Sequence, residues 1–181
     1  MTIIHFDQNG IARGVRFIHT PNCDSRPEGS PVELVVIHNI SLPPREFGGN
    51  GVIELFTNHL DANAHPYYRE ICRIRVSAHF FIRRNGELIQ FVPCTQRAWH
   101  AGVSCWQGRE NCNDFSIGIE LEGSDFEAFE AAQYKVLNTL LTAIGQTYPI
   151  SGIVGHSDIS PGRKTDPGPF FDWERINSNP P

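Results

Sequence analysis

The segment Gly155–Gly168, GHSDISPGRKTDPG, carries the residues with the greatest potential for chemistry. Its prolines and glycines exclude a regular helix or strand, so it predicts a rigid loop that holds polar side chains in one geometry. His156 offers an imidazole and Asp166 a carboxylate, both of which are zinc ligand types. Lys164 would place a cation close to any metal bound there. The alternative is a solvated polar loop, because two ligands do not make a metal site.

A third ligand type stands at the end of another predicted element. Val32–His38, VELVVIH, is a short apolar, β-branched run that predicts a buried strand ending at His38. Ile153–Val154 predicts a second short strand that leads into His156. Because side chains at adjacent strand ends converge on one rim of a sheet, His38 can join His156 and Asp166. Three ligands with a vacant fourth position are typical of catalytic zinc. The alternative for His38 is a core histidine whose hydrogen bonds are satisfied.

A different zinc set, formed by His100, Cys105 and Cys112, is disfavoured because these cysteines lack the short spacing typical of such sites. The chain has five cysteines, and none of them forms a CxxC pair. This odd set fits free thiols in a reducing cytosol better than a disulfide framework.

Several further elements must position the polar residues. Ser77–Arg84 and Glu87–Val92 flank Asn85-Gly86, the strongest local signal for a β-hairpin. Phe115–Glu122, FSIGIELE, alternates apolar residues with serine, glycine and glutamate, which predicts a strand with one apolar face. Glu120 then points away from that face. The three- and four-residue spacing of apolar residues predicts the longest helix over Asp125–Thr147.

Shorter helices are predicted over Val52–Leu60 and Phe171–Ile176, whereas residues 1–31 are expected to be irregular with a short strand or two. Strands and helices therefore alternate irregularly, with one certain antiparallel pair. We expect an α+β fold in which helices pack on a mixed central β-sheet. The length suits a single domain over residues 1–181, with the irregular N-terminal segment packed on it.

Composition excludes several classes of protein. The chain has 181 residues, of which 40% are hydrophobic and 19% charged, which is globular. A net charge of −5 argues against a nucleic-acid partner. No apolar run approaches the length of a membrane span, and the N-terminus lacks the pattern of a signal peptide. We therefore expect a cytoplasmic protein with no membrane partner.

Five sequence blocks resemble the zinc-dependent N-acetylmuramoyl-L-alanine amidases, in the order and at the spacing of that family. They are VVIHNIS at 35–41, VSAHFFI at 76–82, AWHAG at 98–102, FSIGIELEG at 115–123 and GHSDISPGRKTDPG at 155–168. The resemblance runs from about Cys23 to Trp173. Within the family it is greatest to the cytoplasmic enzymes that act on 1,6-anhydromuropeptides. It implies a mixed sheet flanked by helices, a fold shared with peptidoglycan-recognition proteins and phage-type amidases.

The resemblance also implies roles for individual residues. It assigns the zinc ligands to His38, His156 and Asp166, the catalytic carboxylate to Glu120 and a catalytic ammonium to Lys164. A carboxylate can take a proton from zinc-activated water and deliver it to the leaving amine. Lys164 can stabilise the developing oxyanion, although a surface lysine is the alternative. Strand alternation alone does not choose between Glu120 and Glu122, and either can lie on a solvated face; the resemblance favours Glu120.

Four residues are predicted to bind the substrate. Asn39 can hydrogen-bond a sugar or acetamido group, and Arg75 can bind a carboxylate or carbonyl. Trp99 offers a flat face for a sugar ring or lactyl group, and His100 offers a polar contact. The alternatives are a surface residue for Arg75, a core residue for Trp99, and for His100 a group that supports a metal ligand.

The expected activity is zinc-dependent hydrolysis of the amide between the lactyl group of 1,6-anhydro-N-acetylmuramic acid and L-alanine, in cytoplasmic peptidoglycan recycling. A small anhydromuropeptide is the expected partner, and we expect a monomer. One alternative is a broader amidase acting on intact peptidoglycan. The other is a non-catalytic peptidoglycan-binding module, which typically lacks part of the metal set that is complete here.

Overall fold

A computed structural model describes residues 3–176 of the chain. Within that range the strands are β1 (Arg16–Phe17), β2 (Cys23–Ser25), β3 (Leu34–Ile40), β4 (Phe80–Ile82), β5 (Leu88–Gln90), β6 (Gln96–Ala98), β7 (Cys105–Trp106), β8 (Arg109–Glu110), β9 (Ser116–Glu122) and β10 (Gly152–Gly155). The α-helices are α1 (Gly51–Phe56), α2 (Pro66–Ile71), α3 (Ala131–Thr147) and α4 (His156–Ile159). Short 3₁₀ helices cover Cys112–Asp114 and Trp173–Arg175.

Six of the strands form one mixed sheet in the order β1-β5-β4-β9-β3-β10. The strands β4, β9, β3 and β10 run parallel to one another, whereas β4 and β5 are antiparallel. Two small sheets, β2–β6 and β7–β8, lie beside it. The expected α+β fold with a mixed central sheet is confirmed, and so are the strands predicted to lead into His38 and His156.

The predicted hairpin is confirmed, but its strands are shorter than expected. Phe80–Ile82 pairs with Leu88–Gln90. The amide of Arg83 donates to the carbonyl of Glu87, so the loop between them has three residues. Only Gly86 has a positive φ, of 86°. A turn closed by one left-handed glycine therefore replaces a turn in which both Asn85 and Gly86 have positive φ.

The longest helix begins later than predicted. α3 starts at Ala131 because Glu130 and Gln133 form a capping box there. The buried side chain of Gln133 also donates to the carbonyls of Ile82 and Glu122, which ties the helix to β4 and β9. Periodicity of apolar residues alone does not find a buried glutamine at this interface.

The shorter helices differ from the prediction for local reasons. α1 ends at Phe56 rather than at residue 60, since Asn58 adopts a left-handed φ of 63°. α2 was not predicted; Pro66 is its first residue and His65 caps the amide of Tyr67. Phe171–Ile176 forms only the 3₁₀ turn Trp173–Arg175, which Asp172 caps.

The two faces of the sheet carry different layers. Ile117, Ile119 and Leu121 of β9 pack with the apolar face of α3 in the larger core cluster. A second cluster, which includes Phe81 and Phe91, packs with α1 and α2 on the other side of the hairpin. All seven residues of β9 are buried because one face packs on the α3 core and His100 packs against Gly118 on the other.

The N-terminal region contains the two short strands β1 and β2 and is otherwise irregular. All five cysteines lie in the described range as free thiols. Among residues 3–176, no helix has the length and apolar character needed to cross a membrane.

Candidate active site

Three parallel strands end at the same edge of the sheet and bring the predicted polar residues together. His38 of β3 is the register partner of Glu120 on β9. Gly155, the last residue of β10, pairs with Ile37, so His156 follows directly at this edge. Alternation along β3 and β9 turns His38 and Glu120 away from the α3 core. The sheet thus positions one imidazole and one carboxylate side by side.

The loop after α4 returns Asp166 to this edge. The amide of Ser157 donates to the carbonyl of Asp166 at 3.0 Å, which closes the loop on itself. The side chain of Asn39 donates to the Asp125 carboxylate at 2.6 Å and to the carbonyl of Pro167 at 3.0 Å. Asp125 also accepts from the hydroxyl of Thr165. These contacts fix the backbone on both sides of Asp166.

His38, His156 and Asp166 converge on one point. Nδ1 of His38 lies 2.9 Å from Oδ2 of Asp166 and 3.0 Å from Nδ1 of His156. Nδ1 of His156 lies 3.0 Å from the same Asp166 oxygen. In the described range they form the only group of three or more histidine, cysteine, aspartate or glutamate residues whose ligand atoms are close enough together to hold a metal ion. The sequence prediction of this set therefore has a geometric basis.

The protonation states of His38 and Asp166 suit the binding of a cation. Burial lowers the pKa of His38 to about 4, so its ring is neutral and keeps a lone pair. Burial raises the pKa of Asp166, but the close approach of His156 and His38 outweighs this and holds it below its usual value. A neutral imidazole and an ionised carboxylate are the forms that bind metals.

Glu120 lies beside this triangle with an unsatisfied oxygen. Its side chain is only 9% exposed, and Oε2 has no hydrogen-bond partner among the described residues. Burial, together with the charge of Asp166, raises its pKa well above the usual value. A buried, unpartnered carboxylate oxygen is costly for folding, so it points to a role in chemistry.

Glu122, the other carboxylate on this strand, serves a different purpose. It accepts hydrogen bonds from the amide of Gly48 at 2.6 Å and from the amide of Arg84 at 3.0 Å. Both oxygens are therefore used to hold two loops. The choice that strand alternation left open is decided by hydrogen bonding, because both oxygens of Glu122 are engaged whereas Oε2 of Glu120 has no partner among the described residues.

A cleft of about 390 Å³ opens above these residues. Glu120, Lys164 and Trp99 line it together with the three ligand candidates. Its opposite wall is largely apolar and was not predicted; it contains Leu42, Leu55, Phe56, Tyr67, Ile71, Ile74 and Val76. Tyr67 and Ile71 lie on α2, the helix that sequence reasoning missed, and Pro66 after a capping residue was the signal for it.

The four predicted substrate-binding residues have different surroundings. Asn39 and Trp99 line the cleft, although the amide nitrogen of Asn39 is engaged as described above. Arg75 is exposed, and its guanidinium donates to the carbonyls of Cys72 and Ile74. His100 lines the cleft, but its two ring nitrogens contact His38 and Ser116. Substrate contacts by these residues stay predictions.

Comparison with known proteins agrees with the resemblance in the sequence. The model of the family described as N-acetylmuramoyl-L-alanine amidase (Amidase_2) matches residues 28–169. The 1,6-anhydro-N-acetylmuramyl-L-alanine amidase AmpD of Escherichia coli K12 is 54% identical over 171 residues, which cover 93% of this chain and 93% of that protein.

Two solved structures are also similar. A crystal structure of a selenomethionine derivative of AmpD has a TM-score of 0.92 and 53% sequence identity, covering 94% of this chain and 96% of that one. AmiD from E. coli, solved in complex with the substrate anhydro-N-acetylmuramic acid-L-Ala-D-γ-Glu-L-Lys, has a TM-score of 0.58 and 28% identity. The alignment with AmiD covers 95% of this chain and 63% of that one. From the extent of the family match and the identity to these relatives, this chain belongs to the N-acetylmuramoyl-L-alanine amidase family.

Proposed function

We propose that this protein is a zinc amidase that hydrolyses the amide between the lactyl group of 1,6-anhydro-N-acetylmuramic acid and L-alanine of the stem peptide. The observation that carries the proposal is the triangle of His38, His156 and Asp166 beside the free oxygen of Glu120. The E. coli relative carries this activity in its name, and AmiD binds such an anhydromuropeptide. The proposed setting is the recycling of cell-wall fragments in the bacterial cytoplasm.

The three ligand candidates fit zinc in type and spacing. Zinc bonds of about 2.0–2.1 Å in a tetrahedral site separate the ligand atoms by about 3.3 Å. The separations here are 2.9–3.0 Å, so little movement is needed. Zinc bound there would lower the pKa of a water molecule and polarise the substrate carbonyl.

Glu120 is the proposed proton carrier. Its carboxyl group lines the cleft beside the ligand triangle, and its buried Oε2 has no partner among the described residues. There the carboxylate accepts a proton from the attacking water and delivers it to the departing amine of L-alanine. The raised pKa favours the first step, since a carboxylate with a higher proton affinity is a stronger base.

Lys164 is the proposed partner of the developing oxyanion. Its side chain lies on the exposed loop before Asp166 and lines the same cleft as Glu120. An ammonium group stabilises negative charge on the former carbonyl oxygen most strongly in the transition state. Its exposure lets it approach the substrate without a large change in the backbone.

The cleft suits a ligand that is polar at one end and apolar along one side. Trp99 and the apolar wall offer surfaces to the sugar and lactyl groups, and Asn39 can accept through its amide oxygen. Arg75 can reach a peptide carboxylate at the exposed end, provided that its hydrogen bonds to backbone carbonyls are exchanged. We propose these contacts for the substrate.

We further propose that residues 1–181 act as one domain and as a monomer. The N-terminal segment is tied to the rest by the amide of Ala12, which donates to the side chain of Gln90 at 2.8 Å. The half-buried guanidinium of Arg26 donates to the carbonyls of Cys94 and Ser116. A single chain supplies every residue of the proposed site.

A comparison of two substrates tests the proposed function. Zinc-loaded protein is incubated with anhydro-N-acetylmuramoyl-tripeptide and with intact cell wall, and the products are identified by mass spectrometry. The proposal expects rapid release of free peptide from the first substrate and little from the second. Equal cleavage of both would favour a broader amidase, and binding without cleavage would favour a non-catalytic peptidoglycan-binding module.

A further inference from the structure

His100 is hydrogen-bonded to the back of a proposed zinc ligand. Its Nδ1 lies 2.9 Å from Nε2 of His38, on the side of the ring away from Asp166. Its Nε2 lies 3.1 Å from the hydroxyl of Ser116, and that hydroxyl lies 2.6 Å from the carbonyl of Cys112. The four groups form a continuous chain that ends at a backbone oxygen.

The backbone oxygen fixes the direction of every hydrogen bond in this chain. A carbonyl can only accept, so Ser116 donates its proton to Cys112 and must accept from Nε2 of His100. His100 then carries its proton on Nε2 and accepts at Nδ1 from Nε2 of His38. His38 is thus left with a lone pair on Nδ1, the atom that faces Asp166 and His156.

The next residue does the same for the second histidine. Nε2 of His156 lies 3.0 Å from the carbonyl of Ala101, which can only accept, so the lone pair of His156 is also on Nδ1. Arg163 donates to the same carbonyl at 2.8 Å. The amides of His100 and Ala101 both donate to the side chain of Asn113, which fixes this short segment.

Strand β9 is shaped to receive the ring of His100. A Cβ atom at Gly118 would lie 2.4 Å from Cγ of His100, so only glycine leaves room for the ring at this position. Ser116 and Gly118 share one face of the strand with Glu120. Along this face the strand anchors His100, makes room for its ring and then presents the free carboxylate to the cleft.

We propose that His100 is a positioning residue that sets the tautomer and ring orientation of His38, so that His38 offers Nδ1 to the metal. This inference rests on the zinc site proposed above. Metal-bound histidines generally donate their other ring N–H to a fixed acceptor, and losing that acceptor weakens metal binding by about 10–100-fold. We propose this positioning role as the main function of His100, in place of the polar contact with substrate that the sequence predicted.

Two substitutions separate hydrogen bonding from packing. His100→Leu keeps an apolar group of moderate size but removes the acceptor for His38. His100→Asn is the matched control, because its side-chain oxygen can take the place of Nδ1. Ser116 keeps its bond to Cys112 in both variants, so neither leaves its hydroxyl unpaired.

The primary measurement is the zinc dissociation constant, obtained by competition with a chelator. We expect His100→Leu to weaken zinc binding by about 10–100-fold and His100→Asn to stay within a few-fold of the unmodified protein. Equal weakening in the two variants, or no weakening in His100→Leu, would overturn the proposal. Thermal unfolding of the metal-free variants checks that each is folded before zinc is added.

A spectroscopic measurement reports the tautomer directly and keeps the test independent of activity. Long-range ¹H–¹⁵N correlations of zinc-loaded, ¹⁵N-labelled protein should show His38 protonated at Nε2. A His38 ring protonated at Nδ1 would contradict the inference. If His38→Ala binds zinc as tightly as the unmodified protein, the proposed metal site itself fails, which is distinct from failure of His100 alone.

Discussion

Two glutamates on one strand show how hydrogen bonding separates a reactive group from a structural one. Glu120 and Glu122 are two residues apart on β9 and are both buried. Glu122 uses both oxygens to bind backbone amides, whereas Oε2 of Glu120 has no partner in the described part of the chain. The protein tolerates this unsatisfied oxygen at the position where the proposed reaction needs a proton acceptor.

Substitution of each glutamate should therefore give opposite results. Glu120→Gln should retain zinc and lose about 10²–10⁴-fold in kcat, because the proton carrier is gone.

Lys164→Ala should lose about 10²–10³-fold in kcat, because the developing oxyanion loses its cation. The losses of the two variants should not add, since both groups act on one transition state. Steady-state cleavage of anhydro-N-acetylmuramoyl-tripeptide by zinc-loaded variants measures both.

Glu122→Gln is the control on the same strand. It should lose about 1–3 kcal/mol of unfolding free energy, because its two amide partners lose a charged acceptor, while kcat of the folded protein changes little. An inactive Glu122→Gln beside an active Glu120→Gln would reverse the assignment of the two residues.

The raised pKa of Glu120 predicts a pH-dependent stability in the metal-free protein. A carboxyl group whose pKa is higher in the folded state binds more protons there, so its contribution to stability falls as pH rises above its ordinary value of about 4.3. Glu120→Gln removes this pH-dependent loss of stability, because glutamine does not ionise. The variant should be more stable than the unmodified metal-free protein at pH 7, and this advantage should shrink towards pH 4.

Denaturant unfolding at several pH values, after the metal is removed with a chelator, measures this difference. Glu122→Gln again provides the comparison, since it should be the less stable protein at pH 7. A stability difference between Glu120→Gln and the unmodified protein that does not change with pH would show that the Glu120 carboxyl is not desolvated.

At the level of secondary structure, the site depends on a loop that is fixed at both ends. β3, β9 and β10 place His38, Glu120 and His156 through backbone pairing alone. Asp166 lies in the connection beyond α4 and is held by a backbone bond from Ser157 and by side chains, chiefly Asp125 with its bonds to Asn39 and Thr165. This loop is therefore the part of the site most sensitive to substitution of a residue that touches no ligand atom.

Asp125→Ala tests that dependence. The change leaves the amide of Asn39 and the hydroxyl of Thr165 without their common acceptor, at a cost of about 1–3 kcal/mol. We expect weaker zinc binding together with lower stability, because Asp166 is no longer held in place. Chelator competition and denaturant unfolding measure the two effects.

Glu127→Ala is a suitable control, since Glu127 pairs with Arg45 in a partly exposed salt bridge nearby. Neither residue contacts the Asp166 loop through this pair, and a solvated pair contributes little to stability, so zinc affinity should be unchanged in this variant. Zinc binding by Asp125→Ala that equals binding by Glu127→Ala would contradict the role given to the Asp125 contacts.

At the scale of the whole molecule, the sequence predicts the sheet better than the helices. β3, β9 and the hairpin follow from β-branched runs, alternation and Asn85-Gly86, which are local signals. The late start of α3 depends on buried Gln133, whose partners lie on two distant strands. The apolar wall of the cleft depends on the packing of α1 and α2 against the hairpin, which no local pattern specifies.

The same distinction applies to the site. The positions of His38 and His156 after two predicted strands indicated that they would meet at one edge of the sheet. Parallel pairing of β3 with β10 fixes the two histidines there. The resemblance to a family was needed to choose Glu120. The chain from His38 through His100 to Ser116 joins residues far apart in sequence, so it becomes visible only in three dimensions.

The proposed reaction is hydrolysis of the amide between the lactyl group and L-alanine, with water as the nucleophile. The most direct measurement is mass spectrometry of the products formed by zinc-loaded protein from anhydro-N-acetylmuramoyl-tripeptide in H₂¹⁸O. We predict free tripeptide without label and anhydro-N-acetylmuramic acid carrying one ¹⁸O in its lactyl carboxylate. Intact substrate, or cleavage at any other bond, would contradict the proposed reaction.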